Sequence, residues 1–143
     1  VNAQGATIQL PAVFPRFNAQ EGEAVVRRKF AVPPSWIGND LVITLGSIDD
    51  FDETFWNGQS LGKTDINTPN FWSHERVYRV PASLVKGENW LAVRVFDNFA
   101  SGGFNGPASS MKIAPANRSR DWYHPDYRND FKLGDDPFRY SQW

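Results

Sequence analysis

Four carboxylates, Asp49, Asp50, Asp52 and Glu53, crowd the end of an apolar run. Carboxylates at such a position can accept hydrogen bonds from sugar hydroxyls or ligate Ca²⁺ through oxygen, although their spacing fits no EF-hand loop. The plainer reading is that some of them cap the turn and pair with an arginine such as Arg76 or Arg94. Asp50 and Asp52 are the better candidates for ligand contact. A second polar segment runs from Asp97 through Asn98, Phe99 and Phe104 to Gly106. Its glycines let backbone approach a ligand, Asp97 and Asn98 offer acceptors and donors, and Phe99 or Phe104 could stack on a pyranose face. The alternative is a glycine-rich connection that binds nothing.

Catalytic constellations are sparse. The chain has two histidines, His74 and His124, and no Gly-x-Ser-x-Gly elbow, H-E-x-x-H or P-loop. Asp121 and His124 match the D-x-x-H spacing of SGNH-type esterases, but the Gly-Asp-Ser nucleophile block of those enzymes is absent. No carboxylate pair is marked as facing another across a cleft. We therefore assign no catalytic residue, no cofactor and no metal ligand set.

The elements that must hold these residues are strands. Short Val, Ile, Leu, Thr and aromatic runs alternate with Gly, Pro, Asn and Asp, and no window carries a helical apolar stripe. From Glu23 to Val32, Val26, Phe30 and Val32 fall on one face, with Arg28 as the exception. Leu41–Ile48 and Asn89–Asp97 are apolar on both faces and read as central strands. Asn57-Gly58 predicts a type I′ hairpin between Phe51–Asn57 and Gln59–Gly62. His74–Val80 forms another strand, and Pro81–Val85 leading into Lys86–Asn89 reads as one helical or irregular turn and then a β-turn. Six to eight such strands predict an all-β, two-sheet antiparallel sandwich over residues 1–115. Residues 116–143 interleave charges with aromatics without any period, so we expect an irregular tail packing on this or a neighbouring domain.

Net charge is −1, from 15 basic and 16 acidic residues, which does not suit a phosphate-backbone binder. Cysteine is absent, which excludes disulfides and thiolate metal sites. No apolar run reaches the length of a membrane span. The opening Val1–Gly5 reads as the interior of a longer, soluble chain.

The stretches RKFAVPPSWIGNDLVITLGSIDDFDETFWNGQSLGKT and FWSHERVYRVPASLVKGENWLAVRVFDNFASGGFNGP resemble a known family. They are similar to the sugar-binding jelly-roll domain of family 2 glycoside hydrolases, particularly as inserted in sialate O-acetylesterase-like carbohydrate esterases. The resemblance covers about residues 24 to 107 and rests on Phe30, the Leu45-Gly46 to Asp52 turn, the Asn57-Gly58 hairpin, Trp72–Tyr78, Pro81 and the run ending at Asp97. It implies a galactose-binding-like fold, an accessory rather than catalytic role, and a secreted or periplasmic parent enzyme. A structural Ca²⁺ is common in such sandwiches, but no ligand set here is strong enough to name.

If that topology holds, the acidic turn and the Asp97–Gly106 loop share one rim, lined by Asp50, Asp52, Trp72, Arg76, Asp97, Asn98, Phe99 and Phe104. Oligo- or polysaccharide and the parent catalytic domain are the expected partners. Trp72 borders the rim, Trp56 and Trp90 are expected to be buried, Trp36 sits in a proline-bounded turn, and Trp122 and Trp143 anchor the tail. The competing expectation is a structural module of the same fold without a sugar site. Exposed aromatics beside free carboxylates favour binding, whereas an exposed apolar sheet face favours an interface.

Overall fold

The computed structural model describes residues 6–14, 22–98, 102–116, 131–134 and 136–142. Phe99, Asp121, Trp122, His124 and Trp143, singled out above, lie outside them.

Eleven strands are described: β1 (Ala6–Ile8), β2 (Gly22–Ala31), β3 (Leu41–Asp49), β4 (Phe51–Trp56), β5 (Gln59–Thr64), β6 (Glu75–Val80), β7 (Glu88–Asp97), β8 (Gly103–Phe104), β9 (Met111–Pro115), β10 (Phe131–Lys132) and β11 (Phe138–Gln142). They form the expected antiparallel sandwich. One sheet has the order β1-β11-β2-β7-β4-β5 and the other β10-β9-β3-β6, with β8 paired to β3. The chain passes repeatedly from one sheet to the other, as between β3 and β4, β5 and β6, and β6 and β7, which is the weave of a jelly roll.

Period-2 alternation explains the core. In β6 the burial alternates strictly, sending Arg76, Tyr78 and Val80 inward and Glu75, Val77 and Arg79 outward. Inward residues of both sheets, including Val26, Phe30, Leu91 and Val93 from one and Leu41, Ile43, Val80 and Ile113 from the other, make a single apolar cluster. A bulge between Thr44 and Gly46 shifts the phase of β3, so Ile48 rather than Ser47 turns inward and Asp49 is left half-buried at the strand end. The β4–β5 hairpin turns at Asn57 and Gly58 with φ of 50° and 81°, the backbone a type I′ turn needs.

Two expectations are corrected. β7 is central, but only one of its faces is buried, and Trp90 points outward with 45% of its surface exposed. Its alternating Leu91, Val93 and Val95 fill the core, whereas Trp90, Ala92, Arg94 and Phe96 face away from it. Trp56 and Trp36 are fully buried, and the Trp56 indole N–H donates to the Leu84 carbonyl at 3.1 Å.

The tail is also not irregular throughout. β11 lies between β1 and β2, and β10 pairs with β9. Its docking explains the exception in β2. The Arg28 guanidinium lies 4.4 Å from the Phe30 ring centre and 5.9 Å from that of Phe138, and donates to Asp136 at 2.5 Å. A charged side chain at an inward position is thus covered by the Phe30 ring of its own strand and by the Phe138 ring and Asp136 carboxylate that the tail supplies.

Candidate functional site

At one end of the sandwich the inward residues change from apolar to polar: Asp52 and Thr54 from β4, Arg76 and Tyr78 from β6, and Asp97 from β7. Arg76, 1% exposed, is the hub. Its Nε donates to Asp52 Oδ1 at 2.8 Å, one terminal nitrogen to the carbonyls of Phe71 (2.5 Å) and His74 (2.6 Å), and the other to the Asp50 carbonyl (2.8 Å). Asp52 Oδ2 accepts the hydroxyls of Tyr78 at 2.7 Å and Thr54 at 2.8 Å. Burial and the Asp52 charge push the Tyr78 phenol above its ordinary range, so it stays a proton donor.

This network overturns two expected ligand contacts. Asp52 is 2% exposed and its ion pair with Arg76 is wholly buried, so neither side chain reaches solvent. Both position the rim from beneath. Asp97 and Phe104 are likewise corrected as contacts: Asp97, 2% exposed, is the buried member of a cluster with Asp49 and Asp50, and Phe104, 1% exposed, packs edge-on against Phe14 at 6.0 Å, leaving no face for a sugar.

What does reach the surface is an aromatic row beside an acidic cluster. Phe51 lies 4.7 Å from Phe71, and Phe71 meets Trp72 edge-on at 5.0 Å. Trp72 is 50% exposed. Its loop is held by main-chain bonds from Ser73 and His74 to the Asn70 carbonyl, each 2.9 Å, and by Arg76 on the Phe71 and His74 carbonyls. The indole is therefore presented on a fixed backbone. A shallow cleft of about 330 Å³, lined by Phe51, Glu53, Lys63, Asp65, Ile66 and Phe96 among others, adjoins the row at Phe51.

Asp49, Asp50 and Asp97 bring carboxylate oxygens within 4.8 Å of one another. Burial, then the hydrogen bond to Asp50 and the charges of Asp50 and Asp97, raise Asp49 to about 7. For Asp50, burial acts upward, but the hydrogen bonds from Asp49, the Asn98 N–H and Asp97, with the Arg76 charge, hold it below its ordinary value. Asn98 itself is exposed, and its N–H donates to Asp50 Oδ2 at 3.0 Å. Such a group can share a proton or hold a hard divalent cation through oxygen. Its members crowd together rather than face each other across a substrate-sized gap, which is what glycoside hydrolysis requires.

No family model matches the chain, and no curated protein does. Among solved structures it is similar to a Bifidobacterium dentium β-glucuronidase complexed with coumarin-3-O-glucuronide. The identity is 28% over 55% of this chain and 12% of that one, with a TM-score of 0.45. This chain thus spans about an eighth of that enzyme. At that TM-score the likeness fixes neither fold nor function.

Of the eight rim residues expected, the structure brings Asp50, Asp97 and Asn98 together and joins them to Trp72 through Arg76, which touches both the Asp50 and Phe71 carbonyls. Phe51 and Phe71 were missed. Their signal was present as the adjacent pair Phe71-Trp72, but only the fold sets Phe51 against it. Asp49 was noticed in the acidic run without being favoured, because its exposure depends on the β3 bulge.

Proposed function

We propose that this chain is a non-catalytic carbohydrate-binding module of a larger secreted glycan-degrading enzyme. The observation that carries the reading is Trp72, half-exposed on a hydrogen-bonded loop and continuous with Phe71 and with Phe51, which directly follows the half-buried Asp49 and Asp50 in the chain. An indole face packs against the C–H face of a pyranose, and a carboxylate accepts the neighbouring hydroxyls. Because the loop is already ordered, little conformational entropy is lost on binding. A shallow single site of this kind binds weakly, and tethering to a catalytic domain compensates by raising the local substrate concentration.

A second reading has its own support. The outer face of the six-stranded sheet exposes Trp90 and carries Phe55 and, further along the strands, the opposed Phe51 and Phe96 half-buried, the kind of surface that packs against a neighbouring domain. In that reading the module holds catalytic domains in register. Calorimetric titration with a panel of neutral oligosaccharides separates the two. Saturable heat that disappears in Trp72→Ala, with unfolding unchanged to within about 0.5 kcal/mol, supports sugar binding. No heat across the panel from folded protein would leave the structural role standing.

A further inference from the structure

A second surface feature lies on the other sheet. β10 pairs with β9 so that Lys132 stands directly opposite Lys112. Both lysines are exposed, while Met111 and Ile113 on either side of Lys112 are buried. Residues directly opposite in an antiparallel pair have Cβ atoms roughly 4.5–5.5 Å apart, and like charges there oppose pairing. Among the described residues, every ion pair involves other groups: Arg28 with Asp136, Lys29 with Glu88, Lys63 with Asp65, Arg76 with Asp52, Arg79 with Asp40 and Arg94 with Glu23. Among the described residues the lysine pair receives no carboxylate to offset that repulsion.

Beside it opens a cleft of about 500 Å³. Its floor is Leu10 and Met111, both almost fully buried, and its walls are Ala108, Ser109 and Gly134 with the two lysines. Main-chain bonds fix those walls. The Leu133 N–H donates to the Met111 carbonyl at 2.9 Å, the Ser110 N–H to the Pro107 carbonyl at 3.0 Å, and the Gln9 side-chain amide to the Gly134 carbonyl. The cleft is thus preformed and cationic at its edge, and its volume falls in the range of small-ligand sites.

We propose that this cleft binds the anionic group of an acidic saccharide, an inference that rests on the sugar-binding reading but uses a different surface. The carboxylate or sulfate would sit between the two ammonium groups and a ring hydroxyl against Ser109, with the saccharide entering the cleft beside Ala108 and Gly134. Lysines rather than arginines suit this, because two mobile point charges follow either a carboxylate or a sulfate without demanding bidentate geometry.

The test is titration of the whole chain with carboxylated, sulfated and neutral oligosaccharides and with inorganic sulfate, at low and high salt, repeated on Lys112→Gln/Lys132→Gln. The acidic sugars should bind at least about tenfold more weakly in the double variant and in high salt. The variant should unfold at the same midpoint as the parent or a higher one, since a like-charge pair has been removed. Whether carboxylated or sulfated sugars bind more tightly identifies the source of the anion. Acidic-sugar binding that survives the double variant would overturn the proposal, as would inorganic sulfate binding as tightly as the sugars. Neutral-sugar binding lost in Trp72→Ala reports only on the rim, so the two sites can fail separately.

Discussion

Replacing Asp52 by Asn should unfold this domain far more readily while leaving saccharide affinity intact. The carboxylate accepts from Arg76 Nε at 2.8 Å, Thr54 at 2.8 Å and Tyr78 at 2.7 Å, and both partners of the ion pair are fully buried. Asn can keep its carbonyl toward Arg76, and the Thr54 and Tyr78 hydroxyls can rotate to accept from its amide. The loss is therefore mainly electrostatic, an arginine left in the interior without its counter-charge. Removing one member of such a pair costs about 3–5 kcal/mol. For a domain of this size that corresponds to a fall in Tm of roughly 10–15 °C. Urea unfolding followed by tryptophan fluorescence would measure it, reporting through Trp36 and Trp56 in the core. The slope with denaturant should not change. Arg76→Met should cost at least as much and should also loosen residues 71–74, because the Asp50, Phe71 and His74 carbonyls lose their donor. A loss below about 1 kcal/mol in Asp52→Asn, or loss of binding with stability intact, would refute the assignment of Asp52 to the support of the rim.

Two further outcomes follow from the same end of the sandwich. Asp49 is raised from 3.8 to about 7, so the folded state keeps a proton that the unfolded chain releases, and stability falls as pH rises from about 4 to about 7. Partial solvation screens the effect to on the order of 1–2 kcal/mol. Unfolding midpoints measured across that range with a chelator present should fall in the parent and stay flatter in Asp49→Asn, which keeps a donor toward Asp50; equal slopes would remove Asp49 as the cause. Gly103→Ala should destabilise by about 2–4 kcal/mol, since φ is +138° and the added Cβ would stand 2.4 Å from the Ala12 carbonyl oxygen. A midpoint within error of the parent would show that the segment 12–14 can move aside.

The correspondence between sequence and structure follows the range of each interaction. The alternation of β6, the Asn57-Gly58 turn and the stop at Pro81 are local, depend on steric preferences of a few residues, and were readable directly. β11 was not, because Arg139 and Ser141 alternate with Phe138 and Tyr140 over only five residues, too short a run to stand out among charges and aromatics. Its membership of the six-stranded sheet is decided by pairing with β2, more than a hundred residues earlier. Arg28 looked like a flaw in β2 for the same reason, its partners being Asp136 and the Phe138 ring.

In the rim, residue types alone identified the acidic turn, Trp72 and the Asp97–Asn98 segment as the polar and aromatic material of a site. They could not sort supports from contacts. Asp50 and Asp52 are chemically identical and two positions apart, yet one is half-buried at the rim and the other is wholly enclosed with Arg76. Composition and periodicity determined an all-β sandwich and where its chemistry gathers, because apolar alternation and turn residues act through neighbours along the chain. Only the tertiary structure decided which carboxylate is desolvated, which aromatic is exposed and which lysines face each other, because those properties depend on strands that meet across the two sheets.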